Sequence, residues 1–148
     1  MKTDTEKFLS EYQGFISEKR QLMNQLDALR RQYDTYEPEY RSGMTALKNK
    51  SEKTVTRPVE KAVIYLVDHI NADIEETNNK IRPLTVSISC IDSLIMSAGL
   101  TTRERQYVRL RYLEGRSVTS ISMMMGLSFA ELTRTRKKAL DKIEKARK

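Results

Sequence analysis

Apolar residues recur at helical spacing along most of the chain. From Thr5 to Tyr36, the series Phe8, Tyr12, Phe15, Lys19, Leu22, Leu26, Leu29, Tyr33 and Tyr36 alternates steps of four and three without a slip. Such a heptad seam predicts a long coiled-coil-like helix. Lys19 is the one polar member. It either fixes register and partner number or lies at the seam's edge with its ammonium in water. Glu37-Pro38 should end this helix, because proline disfavours the helical conformation in the residue before it. Residues 39–57 hold Ser42-Gly43 and a Lys/Asn/Ser/Glu run, and read as a polar connector.

A second seam starts after Pro58, which suits a helix's first turn. It runs Val59, Val63, Leu66, Ile70, Ile74, Thr77, Ile81, Leu84, Ile88, Ile91, Ile95, with two successive steps of four at Leu66-Ile70-Ile74. That irregularity reads as a stutter. Pro83 falls inside the pattern and should kink or split the helix. Cys90, between Ile88 and Ile91, reads as a buried thiol. Ser97-Ala98-Gly99 closes the helix, with Gly99 as a left-handed cap. Neither stripe is stable in water alone, so the two helices are expected to pair as a hairpin and to pack on a second copy of the chain.

The last third has a shorter rhythm. Thr101 or Thr102 caps a helix running to Leu113 and stopping at Glu114-Gly115. Ser117 caps a short helix with Val118, Ile121 and Met125. Gly126 permits a left-handed turn, and Ser128 caps the final helix, whose inward residues are Leu132, Ala139, Leu140, Ile143 and Ala146. Two short helices joined through glycine, the second opened by serine, predict a helix-turn-helix, with Ile121, Met125, Leu127 and Leu132 as its shared core. A plain helical corner is the competing reading.

Charge sharpens this picture. Residues 101–148 carry 13 Lys+Arg against 5 Asp+Glu, or +8, while residues 1–100 carry 14 against 15, or −1, giving the net +7. A basic module on a neutral body is the electrostatic footprint of a nucleic-acid binder, or else a solvated basic face. Of the 148 residues 39% are hydrophobic, and no apolar run approaches the roughly 20 residues that span a bilayer. The first residues hold no apolar signal segment. One cysteine forms no internal disulfide and fits a reducing compartment. One Cys and one His make no four-ligand zinc site, and no phosphate-cradling glycine loop, nucleophile elbow or paired-carboxylate motif is present. His69 lies within a helical pattern with no catalytic partner indicated. The chain therefore reads as no enzyme, with no cofactor.

Residues 100–145 resemble region four of bacterial sigma factors. The likeness rests on Leu100-Thr101-Thr102-Arg103-Glu104-Arg105, Val108-Arg109-Leu110-Arg111-Tyr112 and Gly115-Arg116-Ser117-Val118. It continues through Ile121, Met125-Gly126-Leu127-Ser128, Leu132 and Arg136-Lys137-Lys138-Ala139-Leu140-Asp141-Lys142-Ile143. In that family the module reads promoter DNA and docks on RNA polymerase. No segment resembles the basic, aromatic helix that melts promoters. The whole organisation resembles small phage and prophage late-transcription regulators of the RinA and ArpU type. Two early recognition-helix positions depart from the sigma pattern, being Phe129 and Ala130. Neither makes a charge-assisted base contact; Phe129 can touch a thymine methyl or pack on the hairpin. Thr135 and Ser122 replace an apolar residue and an alanine.

The sequence thus predicts an all-α protein. Residues 1–99 form a coiled-coil-like helical hairpin that drives dimerisation or higher self-association, and 100–148 a three-helix, sigma-region-four-like DNA-binding module. The expected function is sequence-specific regulation of phage or prophage late genes in the bacterial cytoplasm. Double-stranded promoter DNA is the expected partner, RNA polymerase a further one, and no membrane is involved. Thr133 and Arg134 are the candidates for bases, with Phe129 beside them. Arg103, Arg116, Ser117, Ser128, Lys137 and Lys138 are the candidates for phosphates. The rival reading is a protein-binding adaptor or inhibitor that uses the helix-turn-helix as a docking surface.

Overall fold

A computed structural model describes residues 3–48 and 58–148. The protein is all-helical, with no strand among the described residues. Helix α1 is Asp4–Lys48 and α2 is Pro58–Ser97. Then come α3, Thr102–Val108; a π-helical turn, Arg109–Leu113; α4, Val118–Met125; and α5, Phe129–Arg147. The chain forms two compact units. One comprises the described residues through Lys19 together with Leu84–Lys148; the other is Arg20–Pro83. The change of charge near residue 100 therefore does not coincide with a division in packing.

In the unit Arg20–Pro83, Leu22, Leu26, Val67, Ile70, Thr77 and Ile81 are buried. Gly43 lies against Ile64, where an added Cβ would stand 3.1 Å from Cδ1. Gln25, Ala28 and Leu29 border the same groove as Asp73, Glu76 and Thr77. Residues 25–29 thus lie beside 73–77, and 43 beside 64, so the two segments run in opposite directions. The buried seam of α2 passes through Val67, while Leu66 is exposed. Its members Val63, Val67, Ile70, Ile74, Thr77 and Ile81 alternate four and three, so the stutter expected at Leu66 is absent.

Two expectations about proline fail, that of Pro83 only as to a split rather than a kink. Helix α1 continues through Pro38 to Lys48, so residues 39–48 are helical rather than part of a polar connector, whose remainder, 49–57, lies outside the described residues. An internal proline costs about 3 kcal/mol. The helix nonetheless continues: Pro38, Glu39 and Ser42 line a surface groove with Val59 and Val63, Gly43 is buried against Ile64, and Glu37 pairs with Arg41 across the proline at 2.5 Å. Likewise α2 is one helix through Pro83 and is not split there.

The other unit has one core. Leu9 of α1 and Ile91 and Ile95 of α2 join Leu100, Tyr107, Val108, Leu110, Tyr112, Ile121, Leu132, Ala139, Leu140 and Ile143. Phe8, Tyr12, Met125 and Leu127 pack around it half-buried. Tyr107 and Tyr112 meet edge to face with centroids 6.3 Å apart. Burial, then the charge and hydrogen bond of Asp92, raises the Tyr12 phenol. Cys90 is exposed rather than buried. It precedes the seam residue Ile91 by one position, a turn of about 100° around the helix. Ala146 is exposed too, since the inward face ends at Ile143.

Local capping follows the sequence. Gly99, Gly115 and Gly126 have φ of 72°, 70° and 65°. At Gly126 the N–H bonds back to the Ser122 carbonyl, while the Ser122 hydroxyl donates to the Leu127 carbonyl at 2.5 Å. The serine in place of alanine thus closes the turn from both sides. Space around Gly126 is open, so Gly126→Ala pays only for its backbone conformation. It should destabilise the protein by about 1–2 kcal/mol in urea unfolding. One boundary differs. The expected helix to Leu113 becomes α-helical only to Val108, and then widens so that the Glu114 N–H reaches the Arg109 carbonyl at 2.9 Å.

Candidate nucleic-acid interface

Three residues, Gly126, Leu127 and Ser128, join α4 to α5. Ser128 caps α5 by accepting from the Glu131 N–H at 3.2 Å. Ser117 caps α4 through the Ser120 N–H at 3.1 Å, and Thr101 caps α3 through the Glu104 N–H at 3.2 Å. Each cap is a Ser or Thr at the position expected for satisfying a free helix N–H.

The outer face of α5 carries Phe129, Ala130, Thr133, Arg134, Lys137 and Lys138, all exposed. The Thr133 hydroxyl donates to the Phe129 carbonyl at 2.9 Å, and Arg134 Nε reaches the Ala130 carbonyl at 3.4 Å. Arg103 of α3 comes beside this face. With Arg134 and Lys138 it borders a groove also lined by Thr101, Glu104, Glu131 and Thr135. Arg116 and Ser117 sit apart from that groove, before α4. Arg116 Nε lies 3.4 Å from Glu114, and its carbonyl accepts from Arg111 at 3.0 Å.

Some of the basic residues are paired and others are not. Arg109 and Arg116 share Glu114, at 3.5 and 3.4 Å. Arg136 pairs with Glu6, and Lys142 with Glu104 at 2.8 Å. Arg103, Arg134, Lys137 and Lys138 make no ion pair among the described residues. Arg103, Arg134, Lys137 and Lys138 thus place four unpaired cations on α5's outer face and the start of α3, although Arg105, Arg111, Lys145 and Arg147 of the same unit make no ion pair either.

Sequence reasoning missed what holds α5 from behind. Glu6, in the first turn of α1, is only 5% exposed. Its carboxylate accepts from Arg136 Nε at 3.3 Å, from a second Arg136 nitrogen, and from the Tyr112 hydroxyl at 2.8 Å. Burial would raise the Glu6 pKa; the Arg136 and Tyr112 hydrogen bonds, the Arg136 charge and the Thr3 backbone together hold it below the usual carboxylate value. Burial, then the bond to Glu6, pushes the Tyr112 phenol far up. Glu104 is also buried, and its second oxygen has no hydrogen-bond partner. Arg147 lies over the Phe8 ring, 4.4 Å from its centroid.

A signal for both glutamates was in the chain. Thr3-x-x-Glu6 and Thr101-x-x-Glu104 each have the capping-box spacing, and Thr3 accepts from the Glu6 N–H at 3.2 Å just as Thr101 does from Glu104. The glutamate whose N–H each cap holds then docks its helix onto a cation of α5. The spacing gives the cap; nothing local gives the tertiary partner. Among the described residues, no three His, Cys, Asp or Glu side chains converge as metal ligands would. Nor is any helix among them long and apolar enough to cross a membrane. Comparison with protein-family models, curated proteins and solved structures gives no match.

Proposed function

We propose that this protein is a non-enzymatic, sequence-specific binder of double-stranded DNA that regulates transcription. In this reading α4 and α5 are a helix-turn-helix, and α5 enters the major groove. The observation that carries it is a run of unpaired cations on one helix face. Arg134, Lys137 and Lys138 lie unpaired and exposed along α5, with Arg103 of α3 beside them, while Arg136 and Lys142 are neutralised by buried glutamates. Unpaired cations beside a helix N-terminus suit a phosphate backbone. The resemblance of residues 100–145 to sigma region four extends the proposal to promoter DNA, to RNA polymerase as a second partner, and to late genes of a phage or prophage in the bacterial cytoplasm. The antiparallel segments of α1 and α2 would act as a self-associating hairpin. Exposed Val59, Tyr65 and Leu66 on α2 support that role.

The test is capture of fragmented genomic DNA from the source on the purified protein at physiological salt, followed by sequencing. Sharp peaks upstream of an operon support the proposal; flat recovery from folded protein removes it. Arg134→Ala should relax specificity at one base position, worth about 1–3 kcal/mol there. Unchanged site selection would remove Arg134 from the bases.

A second reading is a protein-binding adaptor. Met123, 80% exposed, and Met124 on α4 favour it, as large apolar side chains in solvent. Specific DNA binding that weakens steeply with salt supports the regulator. Affinity no better than nonspecific binding supports the adaptor.

A further inference from the structure

The start of α5 is unusual for a surface that reads bases. Phe129, its first residue, is 57% exposed, and Ala130 is exposed beside it. Neither side chain has a hydrogen-bonding group. Four residues after Phe129, the Thr133 hydroxyl donates its proton to the Phe129 carbonyl at 2.9 Å, which leaves its methyl and an acceptor oxygen but no free donor. The Ser128 hydroxyl, before α5, accepts at the cap and keeps its own proton for a phosphate. Within α5 the first side chain with free donors is Arg134, whose Nε is drawn back toward the Ala130 carbonyl while its two terminal nitrogens remain available.

A guanine or adenine edge demands donors and acceptors, and a bidentate partner such as Arg, Asn or Gln reads it. The thymine C5-methyl demands only an apolar contact in the major groove, and Phe, Ala and the Thr methyl are the groups that supply it. Burial of a large exposed ring against a methyl is favourable, whereas burying it against a base edge would strip donors and acceptors of water without replacing them. Cations flank the apolar start, with Arg134 and Lys137 further along the same helix face, so the patch faces a polyanion. A protein partner would be favoured by an apolar patch without that flank.

From this we infer that the module selects its site by thymine methyl groups: Phe129, Ala130 and Thr133 contact the methyls of two or three thymines, and Arg134 supplies a single polar base contact. The inference rests on the DNA-binding reading and names the chemistry that reading leaves open.

The experiment replaces each thymine of the captured site, one at a time, by deoxyuridine. This deletes the C5-methyl and leaves every hydrogen-bonding group in place. Affinity for the wild-type protein should fall about fourfold at each contacted thymine, the worth of one buried methyl-sized group, and stay unchanged elsewhere. With Phe129→Ala, whose fold is checked by circular dichroism, one of those positions should lose its preference for thymine over uracil. A site bound equally well with uracil at every position overturns the inference but not the DNA-binding reading, and assigns the apolar patch to a protein contact. A folded protein that selects no DNA sequence overturns both.

Discussion

Replacing Glu6 by alanine is expected to cost about 2–3 kcal/mol of stability at neutral pH, although the residue lies far from α5 in the chain. A buried carboxylate bonded to a guanidinium and a phenol loses all of those contacts at once. The figure sits at the lower end for a broken buried pair because Arg136 is 35% exposed and regains water when freed. The effect depends on pH. Because the folded carboxyl titrates below its ordinary value of 4.5, its charge stabilises the protein fully above that value. That stability disappears as pH falls through the lowered folded pKa. Urea unfolding of wild type and Glu6→Ala should therefore differ most at pH 7 and converge in acid. An equal difference at both pH values would show that the ionised form is not what matters. Glu6→Gln should fall between them, since it keeps an acceptor for Tyr112 without the charge.

The second large effect is on DNA. Arg103, Lys137 and Lys138 are exposed and unpaired, so removing all three should leave folding nearly intact. If each meets a phosphate, the triple alanine variant should bind its site about a hundredfold more weakly near 0.15 M salt. The plot of log affinity against log salt should become shallower by about 3. Arg109→Ala is the control. That arginine already pairs with Glu114, and its loss should leave the slope near the wild-type value. A triple variant with an unchanged slope would remove these residues from the phosphate contact.

How much of this could be read from the sequence depends on the range of the force involved. The caps Thr101, Ser117 and Ser128 and the left-handed Gly99 and Gly126 were legible, because each follows from one residue and its immediate neighbours. The heptad seams were legible as periodicities, but Leu66 was chosen where Val67 is buried. Both are apolar and adjacent, so only the opposite helix decides between them. Pro38 misled for a related reason. Its local cost is real, yet α1 runs on past it with Gly43 buried against Ile64, a contact no local signal gives. Cys90 was assigned by its apolar neighbours in sequence, when the helix turns it away from them. At the candidate interface, Thr133, Arg134, Lys137 and Lys138 fall outside the inward series of Leu132, Ala139, Leu140 and Ile143, and all four are exposed. The grip of Glu6 and Glu104 on the inner side of α5 was not legible, since an ion pair between distant segments leaves no periodic trace.

The bond between Glu6 and Arg136 joins positions 130 residues apart. Its hydroxyl companion, Tyr112, is 106 residues from Glu6. Closing so long a loop has a high entropic cost before any contact rewards it, and folding slows as contacts become less local. During synthesis, at about 5–20 residues per second, the first turn of α1 waits roughly 7–26 s for its partner to be made. Until then Glu6 is an ordinary solvated carboxylate, and Leu9 has no α5 core to enter. The unit that carries the candidate interface therefore closes late, when the end of the chain returns to its beginning. A chain stopped before Arg136 has the helix starts but lacks the cation that Glu6 is built to meet.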